Sequence, residues 1–142
     1  MNWGGPFTFV HIVALAGWAL LFLAPRGPRV AAYVLYLCVG LLCLTYTVMF
    51  ASQFGSIIAG DFLSIEGIRA LFASDAGIVI GWTHYLAFDL FIGQWIAKDG
   101  DHKGVSRIAQ APILIFTLLA GPIGLLVWLV VRERRARALA RS

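Results

Sequence analysis

The stretch IVIGWTHYLAFDLFIGQWIA, residues 78–97, decides the fold class of this chain. A helix rises about 1.5 Å per residue, so roughly 20 apolar residues cross the core of a bilayer. The stretch has that length, yet His84 and Asp89 lie near its middle. Ionisable groups are costly in hydrocarbon and are usually functional there. We therefore predict a membrane-spanning helix and place the candidate site on it.

The composition of the whole chain supports the same class. Hydrophobic residues make up 61% of the 142 residues and charged residues 13%, with a mean hydropathy of +0.87, which is too apolar for a small soluble domain. Four apolar segments are long enough to cross, and because lipid offers the backbone no hydrogen bonds, each should be helical. These segments are residues 7–24, 30–51, 76–97 and 112–131. The sequence thus predicts an all-α, four-helix transmembrane bundle, a single domain over residues 1–142 with a basic tail at 132–142.

The connection between the second and third segments is long and partly apolar. Ser64 can cap a short helix, with Glu66 in its first turn and Arg69 three residues further on. We predict an amphipathic interfacial helix over residues 64–73. Two interpretations of it stay open: a solvated Glu66–Arg69 pair that contributes little, or a lid that lowers both side chains towards a site between the helices.

The distribution of charged residues indicates a class of binding partner but says little about the orientation of the chain in the membrane. Four crossings would put six basic residues on one side and five on the other, so the positive-inside rule decides almost nothing. The RERRARALAR tail, residues 132–141, favours a cytoplasmic C-terminus. Because the basic residues flank apolar segments, the net charge of +4 indicates anionic lipid head groups as partners rather than nucleic acid.

The candidate site combines two polar residues with aromatic rings. His84 and Asp89 are about 140° apart on a helix, so both can face the bundle interior. A neutral imidazole and a carboxylic acid held away from water are suited to proton transfer. A Gly-Pro pair, Gly121 and Pro122, should kink the fourth helix and open space for a long apolar ligand. The aromatic side chains predicted to bind that ligand are Trp82, Tyr85, Phe88, Trp95 and Tyr46.

Competing interpretations of these residues are structural. A membrane histidine is often a hydrogen-bonded packing residue, and aromatic stripes usually form helix contacts. No local spacing of metal ligands, such as HxxxH or CxxC, occurs on any span. We therefore predict neither a metal nor a cofactor.

Three runs carry a family resemblance: SIEGIRALFAS (64–74), GWTHYLAFDLFIGQWIAKD (81–99) and APILIFTLLAGPIGLLVWL (111–129). They resemble the ABA4-like family, whose plant members are chloroplast membrane proteins needed to make neoxanthin. The resemblance covers essentially the whole chain and implies carotenoid or related isoprenoid chemistry. It places the polar motif of the family on Glu66, Arg69, His84, Asp89 and Asp99. The chain lacks a plastid-targeting extension, so it resembles a bacterial member of the inner membrane.

The resemblance leads to a mechanistic hypothesis. Conversion of an epoxide to an allene and an alcohol needs an acid and a base but no redox change. Asp89 or Glu66 would be the acid, His84 the base, and Arg69 would stabilise developing negative charge. The leading hypothesis is a cofactor-independent isomerase of a carotenoid or other long isoprenoid. The alternatives are a non-catalytic lipid- or pigment-binding subunit and a small proton-coupled transporter, which would need a homodimer.

Overall fold

The computed structural model describes residues 2–139, and every regular element in that range is helical. The all-α class is therefore confirmed, but the described chain forms seven helices rather than four. The helices are α1 (Gly4–Leu23), α2 (Pro28–Ser52), α3 (Phe54–Ile58), α4 (Ile65–Leu71), α5 (Asp75–His102), α6 (Arg107–Leu119) and α7 (Gly121–Leu139).

Three of these helices, α1, α2 and α5, are long and apolar enough to cross a membrane. They correspond to the first three predicted segments. Helix α5 has 28 residues, and at about 1.5 Å per residue it exceeds a bilayer core of about 30 Å, so its charged last turns project beyond the apolar part. The chain thus has the helices of a membrane protein.

Close contact between α1 and α5 builds the core. Gly93 lacks a side chain, which lets the Trp18 ring lie directly against the α5 backbone, since a Cβ there would overlap the ring. Gly17 makes the reciprocal contact with Leu90. Trp18 and Leu90 are both buried, and apolar burial of this kind stabilises the packing at about 25 cal/mol per Å².

Helix α2 widens into π-helical turns over Tyr33–Val39. Just before them, the Ala31 carbonyl accepts a hydrogen bond from Gln94 Nε2 of α5 at 2.5 Å. A side chain that enters a backbone ladder is a common cause of such a local change. The contact fixes α2 to α5 where both approach one end of the molecule.

The fourth predicted segment, residues 112–131, is not one kinked helix. Helix α6 ends at Leu119, Ala120 is extended (φ −157°, ψ 77°), and α7 begins at Gly121 and packs back along α6 as an antiparallel hairpin. Gly124 lies so close to Thr117 that a Cβ would overlap its hydroxyl. Pro122 falls in the first turn of α7, where its missing N–H costs nothing, whereas it could not continue α6. The expectation of a four-helix bundle with a kinked wall is therefore wrong at this element.

The hairpin begins and returns at the same end of the molecule. Arg107, at the start of α6, donates to the carbonyls of Phe22 (3.1 Å) and Ala24 (2.8 Å). Arg135, near the end of α7, donates to the Lys103 carbonyl at 3.1 Å. The tip of the hairpin, at residues 120–122, therefore stops beside the middle of α5.

This arrangement separates the charges far more than four crossings would. We call residues 24–29, 98–107 and 132–137 the basic end, and residues 2–3 and 53–75 the acidic end. Within the described residues, the acidic end carries Arg69 as its basic residue, together with Asp61, Glu66 and Asp75. The nine basic residues of the basic end are Arg26, Arg29, Lys98, Lys103, Arg107, Arg132, Arg134, Arg135 and Arg137. The predicted tail continues past residue 139 and there lies outside the described residues.

The short helix predicted after Ser64 is present as α4. Ser64 caps it, its hydroxyl accepting from the Gly67 N–H at 3.1 Å, and Glu66 lies in the first turn as expected. The helix is shorter than the predicted 64–73. It ends at Leu71 because Phe72 leaves the helical conformation before Ser74 caps α5.

Candidate functional site

A cavity of about 660 Å³ opens at the acidic end between α2, the connection 53–74 and the first turns of α5. We call it the loop cavity. Its volume is that of a small-molecule site, and its lining combines apolar side chains with a few polar groups, as such sites do. The apolar lining includes Phe50, Ile57, Phe62, Ile68, Leu71, Phe72 and Ile80, and the polar lining Tyr46, Gln53, Ser56, Asp61 and Ser74.

Glycines on α5 bring the connection onto the bundle. At Gly77 a Cβ would overlap the Leu71 carbonyl, so the end of α4 rests directly on the α5 backbone. One turn later the Phe72 ring lies against Gly81 in the same way. The cavity wall thus consists of a connection that packs on small residues and leaves an apolar space beneath it.

Asp61 is the acidic side chain of the loop cavity. It accepts hydrogen bonds from the Ser64 hydroxyl and from the Leu63 N–H at 2.8 Å, and these bonds, the Ser64 bond first, hold the pKa of Asp61 below its usual range. It is ionised at neutral pH, which makes it an acceptor rather than an acid. Asp61 is not among the site residues predicted from the sequence. Its position three residues before the helix cap was the available signal, because Asp at such turns bonds to the backbone two residues on.

His84 lies beside the loop cavity without lining it. Its ring stacks on Phe88 with centroids 4.6 Å apart and lies 5.6 Å from the ring of Tyr46, which does line the cavity. The side chain is otherwise exposed on the outer face of α5. Of the four predicted catalytic residues, His84 is the one linked to this cavity.

Asp89 is buried, with 8% of its surface exposed, and it faces the hairpin tip. Its Oδ1 lies so close to Gly121 that any side chain there would overlap the carboxyl group. The first turn of α7 carries unpaired backbone N–H groups, and a carboxyl at a helix N-terminus is favourable. The expectation that His84 and Asp89 face one chamber is wrong, because the contacts of α5 with α1 and with the hairpin bury Asp89 and leave His84 outside.

Glu66 and Arg69 both point away from the loop cavity. Helix α4 presents Gly67, Ile68 and Leu71 to the cavity, and Glu66 and Arg69 lie on its exposed face. Both side chains are exposed, as the solvated interpretation expects, but no ion pair joins them among the described residues. This placement gives no support to a lid that lowers these two side chains into the bundle.

The predicted aromatic residues divide between three places. Tyr46 lines the loop cavity, whereas Trp82, Tyr85 and Phe88 lie exposed along α5. Trp95 lies near the basic end, where the Arg132 guanidinium is 5.9 Å from its ring.

Trp82 joins two helices. It donates to His11 Nε2 at 2.9 Å, and His11 Nδ1 bonds the Phe7 carbonyl at 2.8 Å. Because Nδ1 donates and Nε2 accepts, His11 is held as one neutral tautomer that links α1 to α5.

Metal ligands do not converge among residues 2–139. No group of three or more His, Cys, Asp or Glu side chains in that range lies close enough to hold an ion. Of the acidic residues at the acidic end, Asp61 bonds within a turn, and Glu66 and Asp75 lie in the first turns of α4 and α5.

Comparison with known proteins gives one match. The family model described as ABA DEFICIENT 4-like matches residues 6–128, which include the loop cavity, α5 and most of the hairpin. No curated protein and no solved structure matches the chain.

Proposed function

The chain belongs to the ABA4-like family, and from that premise we propose that it is an integral membrane protein that binds a long isoprenoid in the loop cavity. The observation that carries the proposal is the cavity itself, about 660 Å³ of mostly apolar lining at one end of the helices. A carotenoid is an apolar chain with a weakly polar ring at each end. The polar groups of Tyr46, Gln53 and Asp61 would meet such a ring, and the apolar lining would bury the adjoining chain.

The charge separation supports an orientation for the proposal. Basic residues accumulate on the cytoplasmic side of membrane proteins, and nine of the described ones lie at the basic end against Arg69 at the other. We therefore propose α1, α2 and α5 as crossings of a bacterial inner membrane, with α6 and α7 as a re-entrant hairpin. Its tip would stay buried in protein, as irregular backbone at that depth requires.

Binding is tested by what the purified protein carries. Ala70 lines the loop cavity on α4, so Ala70→Trp would fill part of it, whereas Ala73→Trp adds the same bulk just outside the lining. We expect solvent extraction and mass spectrometry to find an isoprenoid with the wild type and with Ala73→Trp, and at most about a tenth as much with Ala70→Trp. Equal amounts in both variants, or no isoprenoid with the wild type, would contradict the proposal.

A second candidate function is isomerisation of the bound isoprenoid, favoured by the contact between His84 and the cavity residue Tyr46. In this proposal His84 moves a proton between two positions of the substrate. Because Tyr46 lines the cavity and its ring lies beside that of His84, the Tyr46 hydroxyl would pass the proton between them, and no electron leaves the substrate. Asp89 lines neither the loop cavity nor the other cavities described, which favours a structural role for it over the acid or the proton relay of a transporter.

Isomerisation is tested by separating turnover from binding. His84→Gln retains a polar side chain of similar reach but cannot exchange a proton near neutral pH. In vesicles supplied with an epoxy-carotenoid, we expect His84→Gln to keep the bound pigment and to lose at least about a hundredfold of the conversion, the usual scale of general acid–base catalysis. Phe88→Leu, which changes the ring stacked on His84, is the control and should convert pigment. Full conversion by His84→Gln would leave only the binding function.

A further inference from the structure

A second cavity, of about 580 Å³, opens at the basic end between α1, α2 and α5. We call it the Arg26 cavity. Leu20, Val30 and Leu35 line the part that lies within the apolar spans, and a polar rim lies where α5 leaves them, beyond Ala97. The polar lining consists of Tyr36, Arg26, Gln94, Lys98, Asp101 and His102. The cavity is therefore amphiphilic along the axis of the helices.

Two buried polar atoms of this lining lack a partner among the residues that the structure describes. Arg26 uses a single nitrogen, Nη1, for the Ala97 carbonyl (3.3 Å), Asp101 Oδ1 (2.6 Å) and Gln110 Oε1 (2.5 Å), while its Nε is buried and unbonded. Gln94 is 5% exposed and donates to Ala31, yet its Oε1 is buried and unbonded. A buried donor and a buried acceptor without partners are costly, and a bound molecule is one way to satisfy both.

The rim favours an anion. Arg26 and Lys98 provide two positive charges against the one carboxylate of Asp101, which Arg26 already pairs. His102 Nδ1 bonds the Lys98 carbonyl at 2.7 Å and must donate to it, so Nε2 is the nitrogen left for a ligand.

We infer that the Arg26 cavity binds an anionic phospholipid, with its phosphate on Arg26 and Lys98, a head-group hydroxyl donating to His102 Nε2, and an acyl chain along Leu20, Val30 and Leu35. Because the rim lies just past the last apolar residue of α5, a membrane crossed by α5 would place its lipid phosphates at that level. The basic residues gathered at this end attract the leaflet that is richer in anionic lipid. A hydroxylated head group such as glycerol would also donate to Gln94 Oε1. This site lies at the opposite end of the helices from the loop cavity and does not depend on the isoprenoid proposal.

Native mass spectrometry of the full chain in mild detergent measures the binding. Phosphatidylglycerol and phosphatidylcholine with the same acyl chains are the probes. We expect phosphatidylglycerol to bind about tenfold more tightly, which corresponds to about 1.4 kcal/mol. The double variant Lys98→Gln/His102→Gln should reduce that preference to about twofold or less. Arg134→Gln, which removes one positive charge at the same end but outside this cavity, should keep it.

Four results would overturn the inference. Equal binding of the two lipids by the wild type would mean that the rim does not select a charge. Loss of the preference in Arg134→Gln as large as in the double variant would assign it to diffuse charge. Inorganic phosphate that displaces phosphatidylglycerol at equal concentration, or farnesyl phosphate that binds more tightly than it, would identify a different occupant. Circular dichroism of each variant establishes that it is folded.

Discussion

At the basic end, arginine side chains join segments far apart in the chain, whereas at the acidic end each side-chain hydrogen bond of the 53–74 connection stays within three residues. Arg26 bonds residues more than 70 positions away, and Arg132 bonds Asp99 at 2.7 Å. Asp61, by contrast, bonds Leu63 and Ser64. Because its bonds join distant segments, the basic end should open only when the whole protein unfolds. The local bonds of the acidic end allow that end to open while the rest stays folded. A cavity that admits the isoprenoid we propose is better placed at the second kind of end.

The variant with the largest expected effect on this contrast is Arg26→Met. The Arg26 side chain is 15% exposed. Its loss would leave the Ala97 carbonyl and Gln110 Oε1 without this donor, and Asp101 Oδ1 with the Gln110 amide in place of a charged partner. Breaking a buried ion pair typically costs about 3–5 kcal/mol, and because Asp101 is 40% exposed we expect about 3 kcal/mol of unfolding free energy in a denaturing-detergent titration.

Arg29→Met is the matched control for that test. Arg29 is exposed in the same part of the chain, so its substitution should change the free energy by less than about 0.5 kcal/mol. Equal losses in the two variants would mean that Arg26 does not organise the basic end.

The next test concerns the hairpin tip, which the basic end holds in place. Gly121→Ala puts a Cβ into the Asp89 carboxyl, and overpacking of this kind should cost about 2 kcal/mol. In an Asp89→Ala background the carboxyl is absent, so the added cost of Gly121→Ala should fall below about 1 kcal/mol. Both values come from the same detergent titration. Strictly additive effects would show that the two residues do not meet.

A serine-to-alanine pair compares the two ends directly. Ser64 caps α4 at the acidic end, accepting from the Gly67 N–H, and Ser106 caps α6 at the basic end, accepting from the Ala109 N–H at 3.3 Å. Removal of either cap should cost about 1 kcal/mol. We expect Ser106→Ala to lower the global free energy of unfolding, and Ser64→Ala to change only the hydrogen exchange of α4 amides. A global loss from Ser64→Ala would remove the distinction between the ends.

The parts of this fold that sequence predicts are those that depend on local chemistry. Apolar length gives α1, α2 and α5, and the Ser64 cap gives α4. The hairpin is missed because hydropathy over residues 112–131 is the same whether the chain continues or turns back at Gly121.

The candidate site is missed in part for a related reason. A separation of about 140° on the helix allows both His84 and Asp89 to be buried, but which of them is buried depends on α1 and α7, whose positions are set by distant contacts. The family resemblance identifies positions in the sequence but not their neighbours in space. It therefore does not show that Glu66 and Arg69 lie outside the loop cavity.

The smallest expected effect is a difference between the two ends in how the stability contributed by a carboxyl depends on pH. Burial raises the pKa of Asp99, but hydrogen bonds from Lys103 and Arg132 outweigh it and hold that pKa below its usual range. A carboxyl with a lowered folded pKa stabilises the protein above its unfolded pKa of about 3.9 and loses that contribution as pH falls through the folded value. The stability gap between wild type and Asp99→Asn should therefore be constant above about pH 5 and shrink below about pH 4.

Asp61 also has a lowered pKa, but its partners are the Ser64 hydroxyl and the Leu63 N–H, so Asp61→Asn should show its acid dependence only in the exchange of α4 amides. If the Asp61→Asn gap in global stability closed below pH 4 as the Asp99→Asn gap does, the acidic end would be as firmly joined to the bundle as the basic end, and entry of a ligand would require the helices themselves to part.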